Sequence, residues 1–153
     1  MKRLFLVVAL LLSTLAASTT ALAACTEQSI SVGETKNGSL STDDCATTSG
    51  YYYDAYQFTG VSGQQLYILN SSSAFDVDLM LIYPDATTYL YDDDSGGGTN
   101  ARIPASGYLT LPASGLYTIA ASSAIALKTG AYTLMLTGAT TPPATSWTVS
   151  INS

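Results

Sequence analysis

The run Asp92-Asp93-Asp94, inside the stretch YLYDDDSGGGTNARI of residues 89–103, is the densest group of chemistry-bearing side chains in the chain. Adjacent carboxylates repel, and low-dielectric surroundings strengthen the repulsion. Water can screen them, a cationic side chain can pair with them, or a hard cation can sit among them. Calcium takes six to eight oxygens at about 2.3–2.6 Å, drawn from carboxylates, carbonyls and water. Gly96, Gly97 and Gly98 would let backbone carbonyls turn inward, Asn100 adds an amide oxygen, and Arg102 is the nearest candidate for an ion pair. The run is not an EF-hand loop, because the twelfth position counted from Asp92 is Ile103, where a glutamate is required. Nor do the glycines form a phosphate loop, since no Gly-Lys-Ser/Thr follows them.

More carboxylates reach this run through a turn. In FDVDLMLIYPDATTYLYDDD, residues 75–94, Pro84 presets φ and Asp85 suits the next turn position. A hairpin with its loop at 84–87 pairs Tyr83 with Thr88, which sets Asp78 opposite Asp93 and Asp76 opposite Ser95, beside Asp94. Facing carboxylates destabilise a ladder unless they are compensated. The expected metal ligands are therefore Asp76, Asp78, Asp92, Asp93, Asp94 and Asn100, around Ca²⁺. Neighbours on a regular strand point to opposite faces, so convergence requires a turn or bulge within the triplet.

Catalysis has little to work with. The chain has no histidine, which removes the commonest general base and rules out Ser-His-Asp and Cys-His arrangements. Neither Lys36 nor Lys128 is held beside a serine by anything in the sequence, and a carboxylate pair drawn from Asp54, Asp76 or Asp93 lacks a substrate cleft in so short a chain. The expectation is a non-enzyme. Binding fits better, since the chain has 11 tyrosines. Alternation turns Tyr52 inward and leaves Tyr51 and Tyr53 outward, while Tyr89 and Tyr91 share a face. Tyr51, Tyr53, Tyr89 and Tyr91 are the expected contact residues for an extracellular protein or polysaccharide surface. The alternative is that tyrosine simply fills half-buried sheet positions.

The ends place the chain in a compartment. Lys2 and Arg3, the apolar run 4–12 and the small residues before Ala21-Leu22-Ala23 form a signal peptide over residues 1–23. The full chain has 5 basic and 11 acidic residues; losing Lys2 and Arg3 leaves 3 against 11, a net charge of −8. Without a basic patch, nucleic acid is not an expected partner, and no transmembrane span is expected. Export to an oxidising compartment turns the cysteines, Cys25 and Cys45, into an expected disulfide. The rival reading of Leu22-Ala23-Ala24-Cys25 is a lipobox, which would make Cys25 a lipid-anchored N-terminus at the cell surface. The expected location is secreted or periplasmic.

Elements of period two must position these groups. Strands are expected near 29–33, 51–59, 64–70, 75–83, 87–92, 107–111, 115–121 and 130–137, separated by Gly- and Pro-containing turns. That pattern is an all-β fold, a jelly-roll-like antiparallel β-sandwich over residues 24–138. Residues 139–153 begin as a Thr- and Pro-rich linker and end in SWTVSI, expected to add a last strand to a sheet edge.

The segments GYYYDAYQFTGVSGQQLYI, FDVDLMLIYPD, LYDDDSGGGTNARI, SGLYTIAAS and TGAYTLMLTG, in this order, resemble the bacterial pre-peptidase C-terminal domain, an extracellular jelly-roll sandwich, over roughly residues 28–138. The resemblance implies that Asp76 and Asp78 stand at the family's D-x-D-L strand, Asp93-Asp94 at its acidic pair, and Tyr117 and Tyr132 at its recurrent tyrosines. It implies a role as an appendage of secreted proteases, or, as in related collagenase modules, binding of collagen and calcium. No peptidase domain accompanies it in these 153 residues. The expected function is a secreted, non-catalytic binding module with structural Ca²⁺; the alternative is an accessory or structural protein of a secreted protease system, with no ligand of its own.

Overall fold

A computed structural model gives the structure of the protein over residues 25–139. The expected signal peptide of residues 1–23 and the expected strand in SWTVSI lie outside the described residues.

The described chain contains strands and turns and no helix. One sheet holds β1 (Gln28–Ser29), β4 (Tyr52–Gly60), β10 (Gly115–Ser123), β6 (Val77–Ile82) and β7 (Tyr89–Asp92) in that spatial order, with β3 (Cys45–Ala46) also on β4. The other holds β2 (Thr35–Leu40), β11 (Gly130–Gly138), β5 (Gln65–Ser71) and β8 (Ala101–Ile103), with β9 (Leu109–Thr110) also on β5. All pairings are antiparallel except the short β1–β4 pair. The result is the all-β sandwich that the alternation predicts.

Period two sorts the side chains. Val77, Leu79 and Leu81 of β6 are fully buried between the sheets, while Asp78, Met80 and Ile82 face outward. Leu66, Ile68, Ile119, Leu134 and Leu136 close the same core from the other strands. Each such side chain contributes about 1.5–3 kcal/mol by leaving water. Tyr117 anchors one end, stacked on Phe58 at 5.3 Å and edge-on to Tyr83 at 5.4 Å, its hydroxyl donating to the Ala113 carbonyl at 2.8 Å.

The structure differs from the sequence reading at short strands. The segment expected at 29–33 is a two-residue strand ending at Ser29, followed by a turn. Strands β2, β3 and β8 were not expected. In β2, TKNGSL, a glycine and four polar residues hide the alternation; Gly38 lies there because it pairs with Tyr132, whose ring covers it. In β8, three residues are too few to show a period. Cys25 and Cys45 are joined as a disulfide across a sequence separation of 20, which ties the N-terminal segment to β3 and contributes about 3 kcal/mol by restricting the unfolded chain. Cys25 is thus paired as the disulfide reading expects, which gives it a structural role.

Candidate functional site

Two features of the six-stranded sheet carry the candidate chemistry, an acidic corner at the open end of the β6–β7 hairpin and a tyrosine-lined groove on its outer face.

The hairpin has the register the sequence dictates. Leu79 pairs with Asp92, Ile82 with Tyr89, and Tyr83 N donates to Thr88 O at 2.9 Å. Beyond the last pair the chain leaves the ladder in a tight loop. Gly96 N donates to Asn100 O at 2.7 Å and Gly97 N to Asp94 O at 3.1 Å. Gly97 and Gly98 adopt φ of 94° and 66°, conformations that glycine reaches without strain. Val77 N donates to Thr99 O at 3.2 Å, fastening the loop beside the start of β6.

This turn brings Asp76, Asp93 and Asp94 together, with one carboxylate oxygen from each within 4.8 Å of the others. Asp76 Oδ1 and Asp93 Oδ1 are shielded from solvent and have no hydrogen-bond partner. A buried acceptor without a donor costs about 1–3 kcal/mol. Burial raises the Asp93 carboxyl above its ordinary value, and the charges of Asp94, Asp76 and Asp92 push it further.

The other expected ligands go elsewhere. Asp92 Oδ1 accepts the backbone N–H groups of Ser95 at 3.0 Å and Arg102 at 2.7 Å, so it fastens the loop. Asp78 faces the groove, and Asn100 lines a shallow depression on the five-stranded sheet with Asn37, Ser72 and Thr133. In that depression the polar groups already satisfy one another: Ser72 Oγ donates to Ala131 O at 2.7 Å, and Thr133 bonds Asn37. The Arg102 ion pair is a correction. Its guanidinium donates to the carbonyls of Pro104 and Gly107 and stacks on Tyr67 at 4.6 Å. Ala101 and Ile103 are buried, so alternation turns Arg102 to the outer face of the five-stranded sheet, away from the acidic corner.

The groove encloses about 450 Å³. Tyr51, Tyr53 and Tyr91 line it, Met80, Ile82 and Ala120 add apolar surface, and Asp78 and Ser122 supply polar atoms. The ladders explain the grouping: Asp78 pairs with Ser122, which pairs with Tyr53, and Met80 pairs with Tyr91. Directly opposed residues share a face. Tyr89, opposite Ile82, is on that face and 59% exposed, but it is not part of the groove lining. Burial raises the Asp78 carboxyl, partly offset by a hydrogen bond from Ser122. Burial and the charges of Asp78 and Asp93 push the Tyr91 hydroxyl up to about 12.

Sequence reasoning missed Met80, Ile82, Ala120 and Ser122 as groove residues. The available signal was the outward half of VDLMLI, where Met80 and Ile82 stand at positions that usually carry polar side chains. Asp54, considered as half of a carboxylate pair, faces inward and accepts the hydroxyl of Tyr132.

No protein-family model matches the sequence, and no curated protein matches it. Solved structures do match its fold. The pre-peptidase C-terminal domain of a Bacillus anthracis collagenase aligns with a TM-score of 0.57 at 16% identity, covering 74% of this chain and 96% of that domain. PliG of Aeromonas hydrophila, a periplasmic inhibitor of g-type lysozyme, aligns at 0.51 and 16% identity, over 75% of this chain and 97% of its own. A mutant of Escherichia coli PliG aligns at 0.50 and 18% identity, over 76% and 100%. At these identities the common ground is architecture, and the sandwich of residues 25–139 is similar in fold to a pre-peptidase C-terminal domain.

Proposed function

We propose that the chain is an exported, non-catalytic module that binds an extracellular protein or polysaccharide through the groove of Tyr51, Tyr53 and Tyr91, with Ca²⁺ as a structural ion. The carrying observation is that three of the four tyrosines expected to make contacts line one groove, with Met80 and Ile82. Tyrosines supply amphipathic contact area at low entropic cost, and outward apolar positions beside them are the composition of a contact surface. That PliG is an inhibitor of a lysozyme supports a protein as the partner class for a sandwich of this shape. An accessory protein without a ligand has no use for such a groove. The test is retention of soluble proteins and polysaccharides from bacterial culture fluid by the immobilised chain. A partner should be held by wild type and lost by Tyr51→Ala/Tyr91→Ala; equal retention sinks the reading.

Calcium fits the acidic corner. Two ligands of one ion at 2.3–2.6 Å lie at most about 5 Å apart, and the oxygens of Asp76, Asp93 and Asp94 lie within 4.8 Å of one another. The partnerless oxygens of Asp76 and Asp93 are acceptors that a cation would satisfy. Bound there, calcium would neutralise the corner and hold the 95–100 loop against β6. Its role is structural.

A further inference from the structure

We infer that the groove is a cage for a cationic side chain, so that the partner is a basic protein presenting an arginine or lysine to Tyr51, Tyr53, Tyr91 and Asp78. This rests on the groove reading above and names the chemistry of its occupant.

Three observations converge. First, Tyr51, Tyr53 and Tyr91 line one concavity of about 450 Å³, large enough for a guanidinium or ammonium with part of its stem. Ring faces attract cations, more so when both partners are desolvated. Second, Asp78 lies in the same concavity, and no cationic side chain among the described residues lines it. The described cations are occupied or elsewhere: Lys36 pairs with Glu34, Arg102 is held by the Pro104 and Gly107 carbonyls, and Lys128 does not line the groove. A carboxylate drawn into a partly apolar concavity without a counter-charge is a standing cost that an incoming cation removes. Third, the acidic corner adjoins it, for Asp78 and Asp93 are the next residues beyond the last hairpin pair, Leu79 with Asp92. Over residues 25–139 the basic residues are Lys36, Arg102 and Lys128 against 11 acidic ones, a net −8, so long-range attraction favours a basic partner. Met80 and Ile82 offer apolar surface for the methylene stem of the guest residue.

The probe is a hexapeptide of arginines, compared with the same peptide in citrulline, which keeps the shape and loses the charge. Both are titrated into the purified chain at physiological salt, and binding is read by tyrosine fluorescence and by NMR shifts. Arginine peptide should bind with shifts centred on Tyr53, Asp78 and Tyr91. Citrulline peptide and Asp78→Asn should each weaken binding at least tenfold. Asp43→Asn removes the same unit of charge from an exposed turn outside both the groove and the acidic corner and should leave binding within about twofold. Equal weakening by Asp78→Asn and Asp43→Asn would reduce the effect to general charge attraction and overturn the cage. Equal binding of citrulline, still lost in Tyr91→Ala, would overturn the cation while leaving the groove. Binding indifferent to Tyr51→Ala and Tyr91→Ala would overturn both.

Discussion

Tyr132, on β11, donates its hydroxyl proton to Asp54 on β4, a hydrogen bond that joins the two sheets of the sandwich. The hydroxyl of Tyr56 lies 2.7 Å from that of Tyr132; with the Tyr132 proton committed to Asp54, Tyr56 is the donor in this second bond. Each donor in such a chain polarises the next. Burial raises both the Asp54 carboxyl and the Tyr132 hydroxyl above their ordinary values. Removing the middle oxygen leaves a half-buried carboxylate and a buried phenol unpaired. Tyr132→Phe should therefore lose about 1–3 kcal/mol in urea unfolding. An unchanged midpoint would show that water replaces the hydroxyl.

The partner of Tyr132 across the ladder, Gly38, gives a second prediction. A Cβ at Gly38 would lie 2.2 Å from Tyr132 Cζ, inside the ring's own volume. Relief requires the ring to leave both its packing and its two hydrogen bonds. Gly38→Ala should cost at least about 1–3 kcal/mol, the usual cost of overpacking. Circular dichroism melts would check it, and Tyr132→Ala in the same chain should restore part of the loss.

At the acidic corner, calcium should raise the melting temperature of wild type relative to chelator. Saturation at a hundred times the dissociation constant corresponds to about 2.7 kcal/mol. Asp93→Asn removes one of the mutually repelling charges. It should be more stable than wild type in chelator and insensitive to calcium. If wild type melts identically in calcium and chelator, the metal proposal fails.

The dependence on pH has a definite sign. Burial raises Asp54, Asp78 and Asp93 above their unfolded values. The folded state then binds these protons more tightly than the unfolded chain, so stability from these groups falls as pH rises from about 4 through the folded values. Asp85 works the other way: hydrogen bonds from Thr88 and Thr87 lower it to about 2. Its contribution is present above about 4 and is lost as pH falls toward 2. Without calcium, stability should therefore peak in mild acid and decline toward neutrality. A steady rise from pH 4 to 7 in chelator would contradict this.

Arg102 offers the last test. Replacing it by alanine removes two hydrogen bonds to carbonyls and the stack on Tyr67, and should cost about 1–2 kcal/mol. Calcium affinity should be unchanged, because the guanidinium is not at the carboxylates. A large shift in calcium midpoint would restore the ion-pair reading.

The sequence by itself determined the strands long enough to show a period, the register of the β6–β7 hairpin through Pro84-Asp85, and the collection of carboxylates at its open end. These are local matters, settled by alternation and turn chemistry over a few residues. Tertiary structure decided the rest. Which three carboxylates converge depends on how the 95–100 loop leaves the ladder, and this sets Asp92 to fastening backbone, while the alternation of β6 keeps Asp78 on the outer face. Tyr51, Tyr53 and Tyr91 meet because β10 separates β4 from β6, a spatial order that no stretch of sequence contains. The orientation of Arg102 and the glycine under Tyr132 were hidden for the same reason. A short strand takes its place from the partner it pairs with, and that partner is distant along the chain.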